Sequence, residues 1–192
     1  MEHMGLQWNP PGFAPIPVRA AHQIQEFQAI NEAARRFVLD RELGLVYLHY
    51  PIPHHFGIYN AVAQRVEPGG NYGDNLVLVD QTLGGLRDEM VKAGIWDSTA
   101  VLISSDHSLR YTNTQGRDVK AKGFAPEGTE QPLVPFLLKM PGQRSPLAYR
   151  EEFNAVLTRE LLTGIYSGEI STPQQVVEWL NHNRSRAPLA GR

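Results

Sequence analysis

The 192-residue chain has no cysteine, so neither a disulfide framework nor a thiolate metal site can be built from it. That absence suits an exported protein without establishing export. No stretch reaches the apolar length needed to cross a bilayer, and the first residues lack the apolar core of a signal peptide. An excess of one charge is missing too. The 18 Lys and Arg residues stand against 20 Asp and Glu, a formal charge of −2, and no basic run of the kind that grips nucleic acid is present. Residues 1–17 contain no Asp, Ser, Thr or Cys, and Glu2 is their only acid. These exclusions leave one ordinary α/β domain with a full core, or a soluble piece of something larger.

Taken in order, the chain opens on a lead-in over 1–17, where Pro10, Pro11, Pro15 and Pro17 alternate with Trp8 and Phe13 and argue for extended backbone rather than helix. From Val18 to about Asp40, apolar residues at Ile24, Phe27, Ile30, Ala34, Phe37 and Val38 recur every three or four positions, the mark of an amphipathic helix. His22 on that helix reads as a solvated or edge residue. The run Leu43 to Tyr50 predicts a strand, followed by a proline-fixed loop, Pro51-Ile52-Pro53-His54-His55, so that His49, His54 and His55 fall within seven residues. Such a histidine group after a buried strand points to a ligand or substrate role for at least one of them.

A turn cluster at Glu67-Pro68-Gly69-Gly70-Asn71 precedes a second helix. Its stripe is Leu76, Val79, Leu83, Leu86 and Met90, with Asn71 or Asp74 as cap, Asp80 beside the stripe and Gly94 as stop. The helix leads into Thr99-Ala100-Val101-Leu102-Ile103-Ser104-Ser105-Asp106-His107, the stretch around which the chemistry gathers. Its apolar run predicts a buried strand ending in two hydroxyls, a carboxylate and an imidazole, where the carboxyl end of a strand meets a crevice. Asp supplies a hard oxygen and neutral His a borderline nitrogen to a divalent metal. Adjacent residues on a strand point to opposite faces, so both reach one ion only if the chain turns at the ligands.

Beyond His107, residues 108–128 are polar and aperiodic, a length that suits a functional loop. Arg110, Arg117, Lys120 and Lys122 make it locally cationic, which suits an anionic ester and also simple solubility. A third strand is expected over 133–139. Two further helices are expected over Glu151 to Leu162 and from Thr172-Pro173 to Asn181, the latter with a Thr cap and Pro at its first position. Residues 18–183 thus read as one domain and 184–192 as a frayed tail.

Three stretches in order resemble the C-terminal half of the sulfatase and alkaline phosphatase superfamily. They are Leu45-Val46-Tyr47-Leu48-His49-Tyr50-Pro51-Ile52-Pro53-His54, Tyr72 to Gly84, and Gly94-Ile95-Trp96-Asp97-Ser98-Thr99 leading into Ser105-Asp106-His107; residues 132–142 look like that family's strand after the metal loop. The resemblance implies an α/β fold with a mixed, mostly parallel sheet flanked by helices, and hydrolysis or transfer of phosphate or sulfate esters. Asp106 and His107 match ligands of the metal that activates the nucleophile, with His49 as candidate third ligand. His54, neighboured by His49 and His55, matches the position that contacts the substrate anion or a second metal. His54, His55 and Lys122 are therefore the substrate candidates.

The same resemblance shows departures. The family's earlier half, with its acidic ligand and its Ser, Thr or modified Cys nucleophile, has no counterpart ahead of residue 43, and its usual glycine after Asp-His is Ser108 here. The expectation is therefore a fragment of a longer enzyme, with no catalytic nucleophile in this chain and inactive alone. A divalent metal (zinc, calcium or manganese) is expected in the parent. Self-association through uncovered apolar surface is expected of the fragment. Two other readings fit the same residues: a fragment of a membrane-anchored phosphoethanolamine or phosphoglycerol transferase, and a non-catalytic binding or scaffold domain in which Asp106 and His107 only cap a strand end.

Overall fold

A computed structural model describes residues 16–54, 57–107, 111–112, 118–119 and 134–185. Among these the order is α1 (Ile16–Phe37), β1 (Tyr59–Asn60), β2 (Arg65–Val66), α2 (Tyr72–Lys92), β3 (Val101–Ser104), β4 (Tyr111–Thr112), β5 (Asp118–Val119), β6 (Phe136–Lys139), α3 (Thr158–Ser167) and α4 (Pro173–Asn183). The chain divides into two compact units. One holds α1, α2 and the β1–β2 and β4–β5 ribbons, and the other holds β3, β6, α3 and α4.

In the first unit α1 starts at Ile16, two residues inside the expected lead-in, because a proline is tolerated in a helix's first turn, where its missing N–H leaves no bond unmade. Its seam meets α2 around Ala20, Phe27, Ile58, Tyr59 and Leu78. Full burial of a side chain such as Ile58 stabilises by about 2 kcal/mol. Helix α2 opens with a reciprocal box: the Asp74 amide donates to Asn71 Oδ1 at 3.1 Å, and the Asn71 amide donates to Asp74 Oδ2 at 2.8 Å. It ends where Gly94 takes φ +68°, a left-handed turn that a Cβ would strain. The buried stripe runs Asn75, Leu78, Thr82, Leu86 and Met90; Leu86 and Met90 are as predicted, while the first three fall one residue before the expected Leu76, Val79 and Leu83, so two polar residues sit in the seam and Leu76 and Val77 face outward.

Among the described residues the expected strand over 43–50 bends at Gly44 and is not part of a sheet. Among the described residues nothing bonds to its main chain from Leu45 to His49. Its side chains still alternate, with Leu45 and Tyr47 exposed and Val46, Leu48 and Tyr50 half-buried, so the pattern of a strand is present without a partner.

The second unit contains the strand pair nearest the predicted metal ligands. β3 runs antiparallel to β6, with Val101 opposite Lys139, Leu102 opposite Leu138, Ile103 opposite Leu137 and Ser104 opposite Phe136. All three ribbons of the described residues are two-stranded and antiparallel, so the expected mostly parallel sheet is not seen among the described residues. Phe136 and Leu138 turn inward onto Met140, Leu161, Ile170, Val176 and Leu180, with Phe136 edge-on to Phe153 at 4.9 Å. Helix α3 follows a short 3₁₀ turn at Ala155–Leu157 and so begins seven residues later than expected. Helix α4 carries the predicted Thr172 cap, completed by Gln175.

Candidate functional site

β3 delivers the chain to a bend at Asp106 and His107, the turn that two adjacent ligands require. Asp106 Oδ2 lies 3.8 Å from His107 Nε2, with the two side chains 65% and 43% exposed. That separation is shorter than two metal–ligand bonds of about 2.0–2.2 Å laid end to end, so one ion can touch both. The hydrogen bonds that close the strand come from neighbouring hydroxyls: Ser104 Oγ donates to Pro135 O at 2.9 Å and Ser105 Oγ to His107 O at 2.7 Å.

The far end of the same ribbon is held by Lys139. Its ammonium donates to the carbonyls of Trp96 and of Thr99 (2.9 Å for the latter) and lies 4.9 Å from the centre of the Trp96 ring. Desolvation pushes this ammonium below the usual lysine range; Asp97 opposes the shift and Arg144 adds to it. Arg144 in turn donates to the Asp97 carboxylate at 2.9 Å, and the Gly142 amide to Asp97 O at 2.7 Å.

In the first unit His49 sits on the outward side of the extended 45–50 segment and is exposed, and His54 is exposed at the end of the Pro51–His54 loop. The loop borders an open groove of about 430 Å³ lined by Arg19, His22, Gln23, Glu26, Pro51 and His54. His22, read as a solvated or edge residue, is exposed and pairs its Nδ1 with Glu26 at 3.5 Å on the groove wall. The loop is fastened from behind. Gln23 Nε2 donates to Pro51 O, and Asn75 Nδ2 donates to His54 O at 2.7 Å while its Oδ1 accepts from the Ile58 amide at 3.0 Å. Tyr50 OH donates to Asn31 Oδ1 at 3.2 Å; burial raises the Tyr50 pKa, and Arg35 partly offsets this.

Residues 11–166 match the Sulfatase family. This chain belongs to the sulfatase family. No curated protein and no solved structure matches it. Membership of the sulfatase family implies the alkaline-phosphatase-like α/β fold, of which the described residues show the helices and small antiparallel ribbons. The family generally uses a divalent metal, and the donor chemistry of Asp106 and His107 fits one. Among the described residues no three His, Cys, Asp or Glu side chains gather closely enough to hold an ion by themselves. Of the predicted site residues, the structure brings together Asp106 and His107. It places His49 and His54 in the other unit, and His55 and Lys122 lie outside the described residues.

Sequence reasoning missed Gln23 and Asn75. Both interrupt an apolar seam that the structure reveals: Gln23 lies three positions after Ala20 and four before Phe27, and Asn75 three before Leu78. A polar side chain in such a place is kept only when its hydrogen bonds are met.

Proposed function

We propose that this chain supplies part of a metal-dependent site that hydrolyses phosphate or sulfate esters. Asp106 and His107 are its metal ligands and His49 the candidate third; His54, His55 and Lys122 are the candidates for contact with the substrate anion. The observation that carries the reading is the convergence of Asp106 Oδ2 and His107 Nε2 on an exposed bend in a chain of the sulfatase family. When bound, the metal polarises ester oxygens and lowers the pKa of the attacking group. The residues of this chain would orient that ion and the anion: a carboxylate and an imidazole would hold the cation, and imidazole or ammonium donors would offset charge developing in the transition state.

Zinc and catalytic metals generally take three or more protein ligands, so two donors bind an ion weakly. Calorimetry with zinc and with manganese tests the reading. The expected result is weak binding that vanishes in Asp106→Ala and in His107→Ala, with no turnover of an aryl phosphate or aryl sulfate. Binding unaffected by Asp106→Ala places the metal elsewhere and sinks the assignment. Turnover that Asp106→Ala abolishes shows instead that this chain carries a complete site.

A further inference from the structure

Pro51 and Pro53 carry no N–H, so the loop that presents His54 cannot be stitched into a ladder, and its carbonyls are its main handles. Two of those carbonyls, one at each end of the Pro51–His54 segment, are taken by buried side-chain amides from two different helices. Gln23 of α1 is 7% exposed and donates to Pro51 O; Asn75 of α2 is fully buried and donates to His54 O at 2.7 Å. Asn75 also accepts from the Ile58 amide at 3.0 Å, so a single side chain grips the main chain on either side of residues 55–57. Just beyond, the Gly69 amide donates to Gly57 O at 3.1 Å, and a Cβ on Gly57 would fall 1.6 Å from Gly70 O, so no side chain fits between the two strands of backbone. Buried amides with this many partners are costly to place and costly to remove. What they fix here is a short piece of chain ending in one exposed imidazole on the wall of the groove.

We infer that Gln23 and Asn75 form a two-helix clamp and act as positioning residues for His54, presetting the imidazole for the anionic group of a phosphate or sulfate ester. The inference rests on the reading of His54 given under the proposed function. Preorganisation of this kind improves anion binding by removing the cost of ordering the loop when the ligand arrives.

The test is the imidazole signal of His54 in nitrogen-edited NMR spectra, followed in the whole chain as inorganic phosphate is titrated in. Gln23→Met and Asn75→Leu each remove the donor at similar volume, and Leu86→Ala on α2 is the control that loosens the same helix without touching the loop. The expected result is a saturable shift of the wild-type ring with unaltered affinity in Leu86→Ala. Each clamp variant should bind phosphate about tenfold more weakly, and the double variant little worse than either single one, because both act on one segment. If Asn75→Leu fails to fold, Gln23→Met carries the test, since Pro51 O can turn to water. A responsive wild-type ring with identical affinity in Gln23→Met and in the double variant overturns the clamp alone. A wild-type ring that phosphate does not move overturns the reading of His54 on which the inference stands.

Discussion

Glu67 shows how single side chains stabilise the turn cluster behind the His54 loop. Its carboxylate accepts from Arg65 Nε at 2.6 Å and from Asn60 Nδ2 at 2.8 Å, bracing the β1–β2 ribbon. The Arg65 hydrogen bond, then that of Asn60, holds the Glu67 pKa below its ordinary value; burial opposes and the Arg65 charge assists. A carboxyl whose folded pKa is depressed binds its proton less readily in the folded state than in the unfolded chain. Its contribution to stability is therefore fully present above the ordinary glutamate range and is lost as pH falls through the folded value. Glu67→Gln should unfold at a lower urea concentration than wild type near neutrality, and the gap should close on acidification from about pH 6 to about pH 3. A gap that stays constant over that interval would falsify the link between this carboxylate and the ribbon.

Among the elements, those whose signals are local were the ones legible in the sequence. The capping residues of α2 and α4 lie within one turn of the helices they start, so Asn71, Asp74, Thr172 and Gln175 can be read without knowing what the helix touches. Strands depend on remote partners. Leu45 to Tyr50 has the alternation of a strand and pairs with nothing among the described residues, whereas the two-residue ribbon at Tyr59–Asn60 and Arg65–Val66 gave no periodic signal at all. Asp106 and His107 were legible because they follow directly on an apolar run. The clamp was not, because Gln23 and Asn75 show their purpose only when the Pro51–His54 carbonyls are seen opposite them. The β3–β6 ribbon yields a prediction at this scale. Lys139 satisfies the carbonyls of Trp96 and Thr99 and covers the Trp96 ring, so Lys139→Met keeps the stem but leaves both carbonyls without their donor. The expected cost is about 2 kcal/mol, read as a lower urea midpoint with an unchanged slope. A midpoint equal to wild type would mean that the ammonium contributes nothing net to holding the ribbon.

For the whole molecule, the distribution of apolar surface sets how copies of the chain behave toward one another. Scattered exposed apolar residues are ordinary, and Val62, Val156 and Tyr166 call for no explanation. Leu45 and Tyr47 differ, because at 70% and 83% exposure they project from one side of an extended segment whose main chain is itself unpaired among the described residues. An edge of this kind offers both the hydrogen-bonding groups and the apolar side chains that a second extended segment needs, and proteins that keep such edges apart do so with charge or proline. Along Leu45-Val46-Tyr47-Leu48 there is neither. The expected outcome is concentration-dependent self-association through this edge, seen by size-exclusion chromatography with light scattering. A Leu45→Lys, Tyr47→Lys variant should run as a monomer, because placing two like charges along the edge makes pairing it with its own copy repulsive. Both positions face outward, so the variant should retain wild-type helix content by circular dichroism. That separates loss of association from loss of fold. If the wild-type chain remains monomeric at every concentration reached, the segment is not a self-pairing edge. If association persists in the lysine variant, the contact lies on another surface, with the exposed Leu137 on β6 the first to change.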